Sequence, residues 1–107
     1  MKRGDLVTIV TQGDYGKPRP ALVIQSDYFI ENSSVTVLPV SSCIVDSPLL
    51  RINVEANEKT NLNKISQVMV DKITTVKREK VGLVFGSIDH KKMLEVERCL
   101  SVFIGIA

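Results

Sequence analysis

The sequence predicts a mainly β (β + α) fold: a small, strongly bent antiparallel sheet or barrel with one C-terminal helix laid against it. Three observations predict it. Short β-branched and apolar segments succeed one another up to Gly86, punctuated by Gly, Pro, Asn and Asp. One stretch has helical spacing, from His90 onward. With 107 residues the chain is long enough for one domain with a single core, and small enough that pairing with a second copy would add usefully to its stability.

Leu6, Val7, Ile9 and Val10 make residues 5–11 a strand, and Gln12-Gly13-Asp14-Tyr15-Gly16 ends it in a turn or loop. Ala21 to Gln25 is a nearly continuous apolar run, as expected of a strand buried on both faces. Ser26 to Ser33 is a loop. Residues 34–42 have strand composition, but Pro39 has no N–H to give a ladder, which marks an edge, a bulge or the strand's end. Leu50 to Glu55 alternates with period two, and Ala56 to Asn63 forms a polar loop before the chain returns. Ile65 to Val70 is the next strand; alternation carried onward puts Ile65, Gln67, Met69 and Asp71 on one face and Ser66, Val68, Val70 and Lys72 on the other. Ile73 to Val76 continues extended, Lys77-Arg78-Glu79-Lys80 is a charged turn, and Val81 to Gly86 is a last short strand. Ser87 or Asp89 caps the helix, whose Met93, Val96, Leu100 and Phe103 recur on one side.

Composition narrows the function classes. The 44% apolar and 24% charged content is that of an ordinary globular protein, and no apolar run approaches the length of a bilayer span, so no membrane role is expected. Gly4 and Asp5 stand where a secretory peptide would need an apolar stretch, and the protein is read as cytoplasmic. Cys43 and Cys99 have neither zinc-ligand nor disulfide-framework spacing and are expected reduced and packed inside. His90 is the sole histidine and has no ligand-spaced partner, so neither metal nor cofactor is expected. A formal charge of +2 is too small for non-specific binding along an extended face, so any nucleic-acid contact is local. The clusters at Lys2-Arg3, Lys77-Arg78-Lys80 and Lys91-Lys92 are read as solvated faces.

Lys17-Pro18-Arg19-Pro20-Ala21-Leu22-Val23-Ile24 is different. Each proline fixes its own φ and drives the residue before it into extended geometry, so Arg19 leaves the mouth of a buried strand at a defined angle. A planar guanidinium held in this way suits a phosphate. Cutting RNA without metal needs a base near the 2′-hydroxyl, a donor for the charge developing on phosphorus and an acid for the departing 5′-oxygen.

The Arg3-Gly4-Asp5-Leu6-Val7 start, the Lys-Pro-Arg-Pro strand, Pro39-Val40-Ser41, the Ser66-to-Ile73 segment and the terminal helix come in the same order as in the MazF/PemK toxin ribonucleases, and the sequence resembles that family over nearly its whole length. The resemblance implies one toxin domain over 1–107 with an SH3-like, CcdB/MazF-like barrel. It further implies a homodimer, a cognate antitoxin and cleavage of single-stranded RNA by 2′-hydroxyl attack, leaving a 2′,3′-cyclic phosphate and a 5′-hydroxyl. Carried over by residue, Arg19 stabilises the phosphorane and protonates the leaving group, Ser41 orients the phosphate with Ser42 as the one-residue alternative, and Asp71 activates the nucleophile. Tyr15 and Lys17 occupy the loop before Arg19, where they suit base stacking and phosphate contact, and Gln67 is expected to share Asp71's groove. The arginine that some members carry two residues before the carboxylate is Met69 here. Two rivals stand beside this reading: a CcdB-like gyrase poison, whose Trp-Gly-Ile terminus is replaced by Ile104-Gly105-Ile106-Ala107, and a barrel that binds RNA or protein without cutting.

Overall fold

In the computed structural model, which describes residues 1–13 and 15–107, seven strands precede one helix. They are β1 (Asp5–Ile9), β2 (Arg19–Val23), β3 (Ser34–Ser41), β4 (Arg51–Val54), β5 (Ser66–Met69), β6 (Thr74–Lys77) and β7 (Val81–Ser87), with α1 (His90–Phe103) after them. Single 3-10 turns occupy Asp27–Phe29, Val70–Lys72 and Arg78–Lys80. The strands pair antiparallel in the order β4-β5-β3-β2-β1-β7, with β6 also on β3.

The bend is visible along β3. Its first half pairs with β6 through Val37↔Thr74, and its last residues pair with β5 through Val40↔Val68 and Ser41↔Gln67. Pro39 sits between these two partnerships and faces Ala21 of β2. A residue with no N–H loses nothing at the one place where the strand changes neighbour. The proline therefore marks neither an edge nor the strand's end but the point where the sheet turns.

Alternation on β1, β2 and β3 feeds two cores. Leu6, Leu22, Leu38 and Val40 join Val54, Val68, Val70, Met93 and Val96 in the larger one, under the helix. Val7, Ala21, Val23, Val35 and Val37 join Val76 in the smaller. Leu38 is fully buried, so Leu38→Ala would cost about 2–5 kcal/mol. The helix begins where Asp89 Oδ1 accepts the Lys92 N–H at 2.7 Å and ends at Gly105, whose φ of +82° supplies the left-handed turn-out. Arg3 ties the N-terminus to this layer through Glu97 at 2.7 Å and the Ile24 carbonyl at 3.0 Å. Arg78 is spent in the same way on the carbonyls of Ile30 and Asn32. Neither cysteine is in the deep interior: both are free thiols, Cys43 exposed and Cys99 half-buried, because Cys43 lies beyond the end of β3 and Cys99 on the flank of α1. Among the described residues no helix is long and apolar enough to cross a membrane.

Candidate active site

At the ends of β2, β3 and β5 the sheet opens into a cleft of about 580 Å³. Arg19 is the first residue of β2 and stands opposite Ile9 of β1. The β2–β3 register runs Val23↔Val37, Leu22↔Leu38, Ala21↔Pro39, and continued by two residues it sets Arg19 opposite Ser41, the last residue of β3. Both side chains line the cleft, together with Ser42. The Ser41 hydroxyl accepts the Cys43 N–H at 3.0 Å, a short turn that leads the chain out of the strand. That bond uses an oxygen lone pair and leaves the hydroxyl hydrogen to donate into the cleft.

The opposite wall comes from β5 and the turn after it. Ser66, Met69 and Lys72 line the cleft, every third residue instead of every second. The strand stops at Met69, and the 3-10 turn Val70–Lys72 redirects the next side chains. Lys72 lines the cleft with Ser66, its partner in the alternation expected from the sequence, and Asp71 lies on the side of Gln67 and pairs with Arg51 of β4; the residue that departs from alternation is Met69. Leu62, Asn63 and Lys64 complete the wall from the polar loop. That loop lies against β7, where Asn61 Nδ2 donates to the Phe85 carbonyl and the Ser87 N–H donates to the Lys59 carbonyl, both at 3.0 Å. Gly86 allows the approach: a Cβ there would lie 2.1 Å from the Thr60 carbonyl oxygen.

Charge in the cleft has one sign. Its lining carries Arg19, Lys64 and Lys72, the hydroxyls of Thr11, Ser41, Ser42 and Ser66, and no acidic side chain among the described residues. Such a wall attracts a phosphodiester and offers it several donors. Among the described residues no group of three His, Cys, Asp or Glu side chains is placed to hold a metal ion.

The cleft therefore gathers Arg19, Ser41 and Ser42, and leaves the other expected residues elsewhere. Gln67 is buried, its amide donating to the Val45 carbonyl at 3.0 Å and to Asn53 Oδ1 at 2.9 Å and accepting the Val45 N–H at 3.1 Å. It fastens the loop after Ser42 and lines a second groove between that loop and α1, not the one expected for RNA. Asp71 does not line the cleft either; it lies on Gln67's side of β5, paired with Arg51 of that second groove. Tyr15 is wholly exposed beside a neighbouring hollow that meets the cleft at Thr11, and it holds a positive φ of 52°. Lys17 is exposed nearby on the same loop. Sequence reasoning missed Lys64 as a cleft residue and put the RNA groove on the Gln67–Asp71 face of β5, whereas the cleft takes Ser66 and Lys72 from the opposite face. The unbroken apolar run Val68-Met69-Val70 was the available signal that Met69 would leave the alternation.

Known proteins resemble this chain throughout its length. A family model described as "PemK-like, MazF-like toxin of type II toxin-antitoxin system" matches residues 2–104. A protein of Mycolicibacterium smegmatis named "Probable endoribonuclease MazF" is 44% identical, with 100% of this chain and 99% of that protein covered. Among solved structures, the Mycobacterium tuberculosis toxin MazF-mt6 superposes with a TM-score of 0.83 at 17% identity, covering 96% of this chain and 98% of the other. A MazE-MazF crystal structure from Deinococcus radiodurans gives 0.82 at 21% identity, covering 100% and 98%. At these identities the two structures speak for the fold, the CcdB/MazF-like barrel with its terminal helix.

Proposed function

This chain belongs to the PemK-like, MazF-like toxin family of type II toxin–antitoxin systems, and from that premise we propose that it is an endoribonuclease that cuts single-stranded RNA, chiefly mRNA, without a metal. The observation that carries the proposal is the cleft in which Arg19 and Ser41 stand on adjacent strand ends, with Lys64 and Lys72 in its lining.

The chemistry rests on those two groups. A phosphodiester drawn into the cleft lies against the Arg19 guanidinium, whose fixed fork matches phosphate oxygens. Ser41 donates to a non-bridging oxygen and fixes which face of phosphorus meets the 2′-hydroxyl. As that hydroxyl attacks, negative charge gathers on the phosphorane, where a preorganised cation stabilises it most. The products are a 2′,3′-cyclic phosphate and a 5′-hydroxyl. Arg19 does not act as the acid, because a guanidinium keeps its protons. Asp71 is a positioning residue: paired with Arg51, it anchors the turn that brings Lys72 to the cleft. Ser42 and Lys17 bind backbone, Tyr15 offers a stacking face, and Gln67 acts through the loop it holds.

The working assembly in this reading is a cytoplasmic homodimer, with RNA along the groove between subunits and apolar surface at Val102, Phe103, Ile104 and Ile106 available to the contact. A cognate antitoxin lays an acidic, disordered segment over the same cations. The chain's likeness to the toxin half of a MazE-MazF complex supports that partner. Incubation of the purified protein with a long unstructured RNA in EDTA tests the proposal. Cleavage leaving cyclic phosphate and 5′-hydroxyl ends is expected; intact RNA together with blocked gyrase supercoiling would transfer the protein to the poison class.

A further inference from the structure

The cleft contains a cation to which phosphate binding and charge stabilisation assign no role, and its chemistry is the kind the reaction still lacks. Cleavage requires a proton for the departing 5′-oxygen. Among the described residues lining the cleft there is no carboxyl, imidazole, thiol or phenol. The hydroxyls are weak acids and Arg19 retains its protons, which leaves, among the described lining residues, Lys64 and Lys72 as the side chains able to exchange one. They differ in how firmly they are held. Lys64 lies in the polar loop, on an exposed stretch running from Asn63 to Ile65. Lys72 is itself exposed, but the turn it ends is held by the two residues before it: Val70 is fully buried and its N–H donates to the Leu50 carbonyl at 2.9 Å, and Asp71 is paired with Arg51. A general acid works only where its donor reaches the leaving atom, and of the two lysines Lys72 has the better anchored backbone.

Resting on the nuclease reading, we propose that Lys72 is the general acid of the cleavage step. The 2′-oxygen bonds to phosphorus and its proton passes to water in the open cleft. The P–O5′ bond breaks, its electron pair stays with the 5′-oxygen, and that oxygen takes a proton from Nζ of Lys72. The resulting amine is reprotonated from solvent, so no other reactant is consumed. The turn Val70–Lys72 keeps the two charges apart, the carboxylate toward Arg51 and Lys72 toward the cleft.

The test uses two RNAs with one cleavable linkage each, one ordinary and one in which sulfur replaces the bridging 5′-oxygen. A thiolate departs without needing a proton. Lys72→Met is expected to cut the ordinary linkage about 100-fold more slowly than wild type and the sulfur linkage within about threefold of it. Lys72→Arg, which keeps the charge but not the proton transfer, is expected to behave as Lys72→Met does. Arg19→Ala should be slow on both linkages. Equal losses by Lys72→Met on the two linkages, an undiminished rate on the ordinary one, or sulfur rescue appearing at Lys64→Met instead would overturn the assignment. A wild-type protein that cuts neither linkage in EDTA would overturn the nuclease reading itself.

Discussion

The two grooves on either side of β5 are built from similar residues and reach opposite ends. The groove between the Ile44–Pro48 loop and α1 holds Arg51, Lys92 and Arg98 against Asp46 and Glu95, and its polar groups are bonded among themselves: Arg51 with Asp71, Lys92 with Glu95 at 3.3 Å, Gln67 with Val45 and Asn53. The cleft's described lining carries the cations Arg19, Lys64 and Lys72 and several hydroxyls. A balanced, internally bonded groove stabilises the fold, while a cleft rich in cations and hydroxyls suits an anionic ligand. The difference is set by a single turn of chain, since residues 67 and 71 go to one side and 66, 69 and 72 to the other.

That contrast can be broken from either side. The largest effect is expected in the cleft: Arg19→Ala should slow RNA cleavage about 1000-fold, the scale of losing a charged transition-state donor, with little change in melting temperature. Next comes the groove. Gln67→Ala strips three hydrogen bonds from the buried side of the loop and should lower stability by about 2–3 kcal/mol in denaturant unfolding, with a smaller loss of activity as the loop after Ser41 loosens. The smallest effect belongs to the pair that links the two sides. Asp71→Asn should cost about 1 kcal/mol, and the deficit should shrink as salt is raised, because Arg51 and Asp71 retain partial solvent contact at 16% and 21% side-chain exposure.

The residues explain how far the sequence could be read. Strand segments and the helix were legible because apolar periodicity is local, and the Arg19–Ser41 juxtaposition was legible because two prolines and a strand end announce themselves in a few residues. Asp71 and Lys72 were not. Alternation separated them correctly but could not say which face of β5 the cleft lies on. Gln67 looked like a groove residue because alternation cannot reveal that Val45, far away in sequence, has claimed its amide. Lys64 was invisible for the same reason: the loop carrying it reaches the cleft only by lying on β7, across Gly86. The readable part was local in sequence, and the remainder depended on long-range contacts.

The most direct measurement is single-turnover cleavage of one RNA in EDTA by Arg19→Ala and Gln67→Ala side by side, well below both melting temperatures. Arg19→Ala, though folded, is predicted to fall about three orders of magnitude below wild type while Gln67→Ala stays within about tenfold. An Arg19→Ala protein that cuts at the wild-type rate would contradict a cleft whose chemistry centres on that guanidinium.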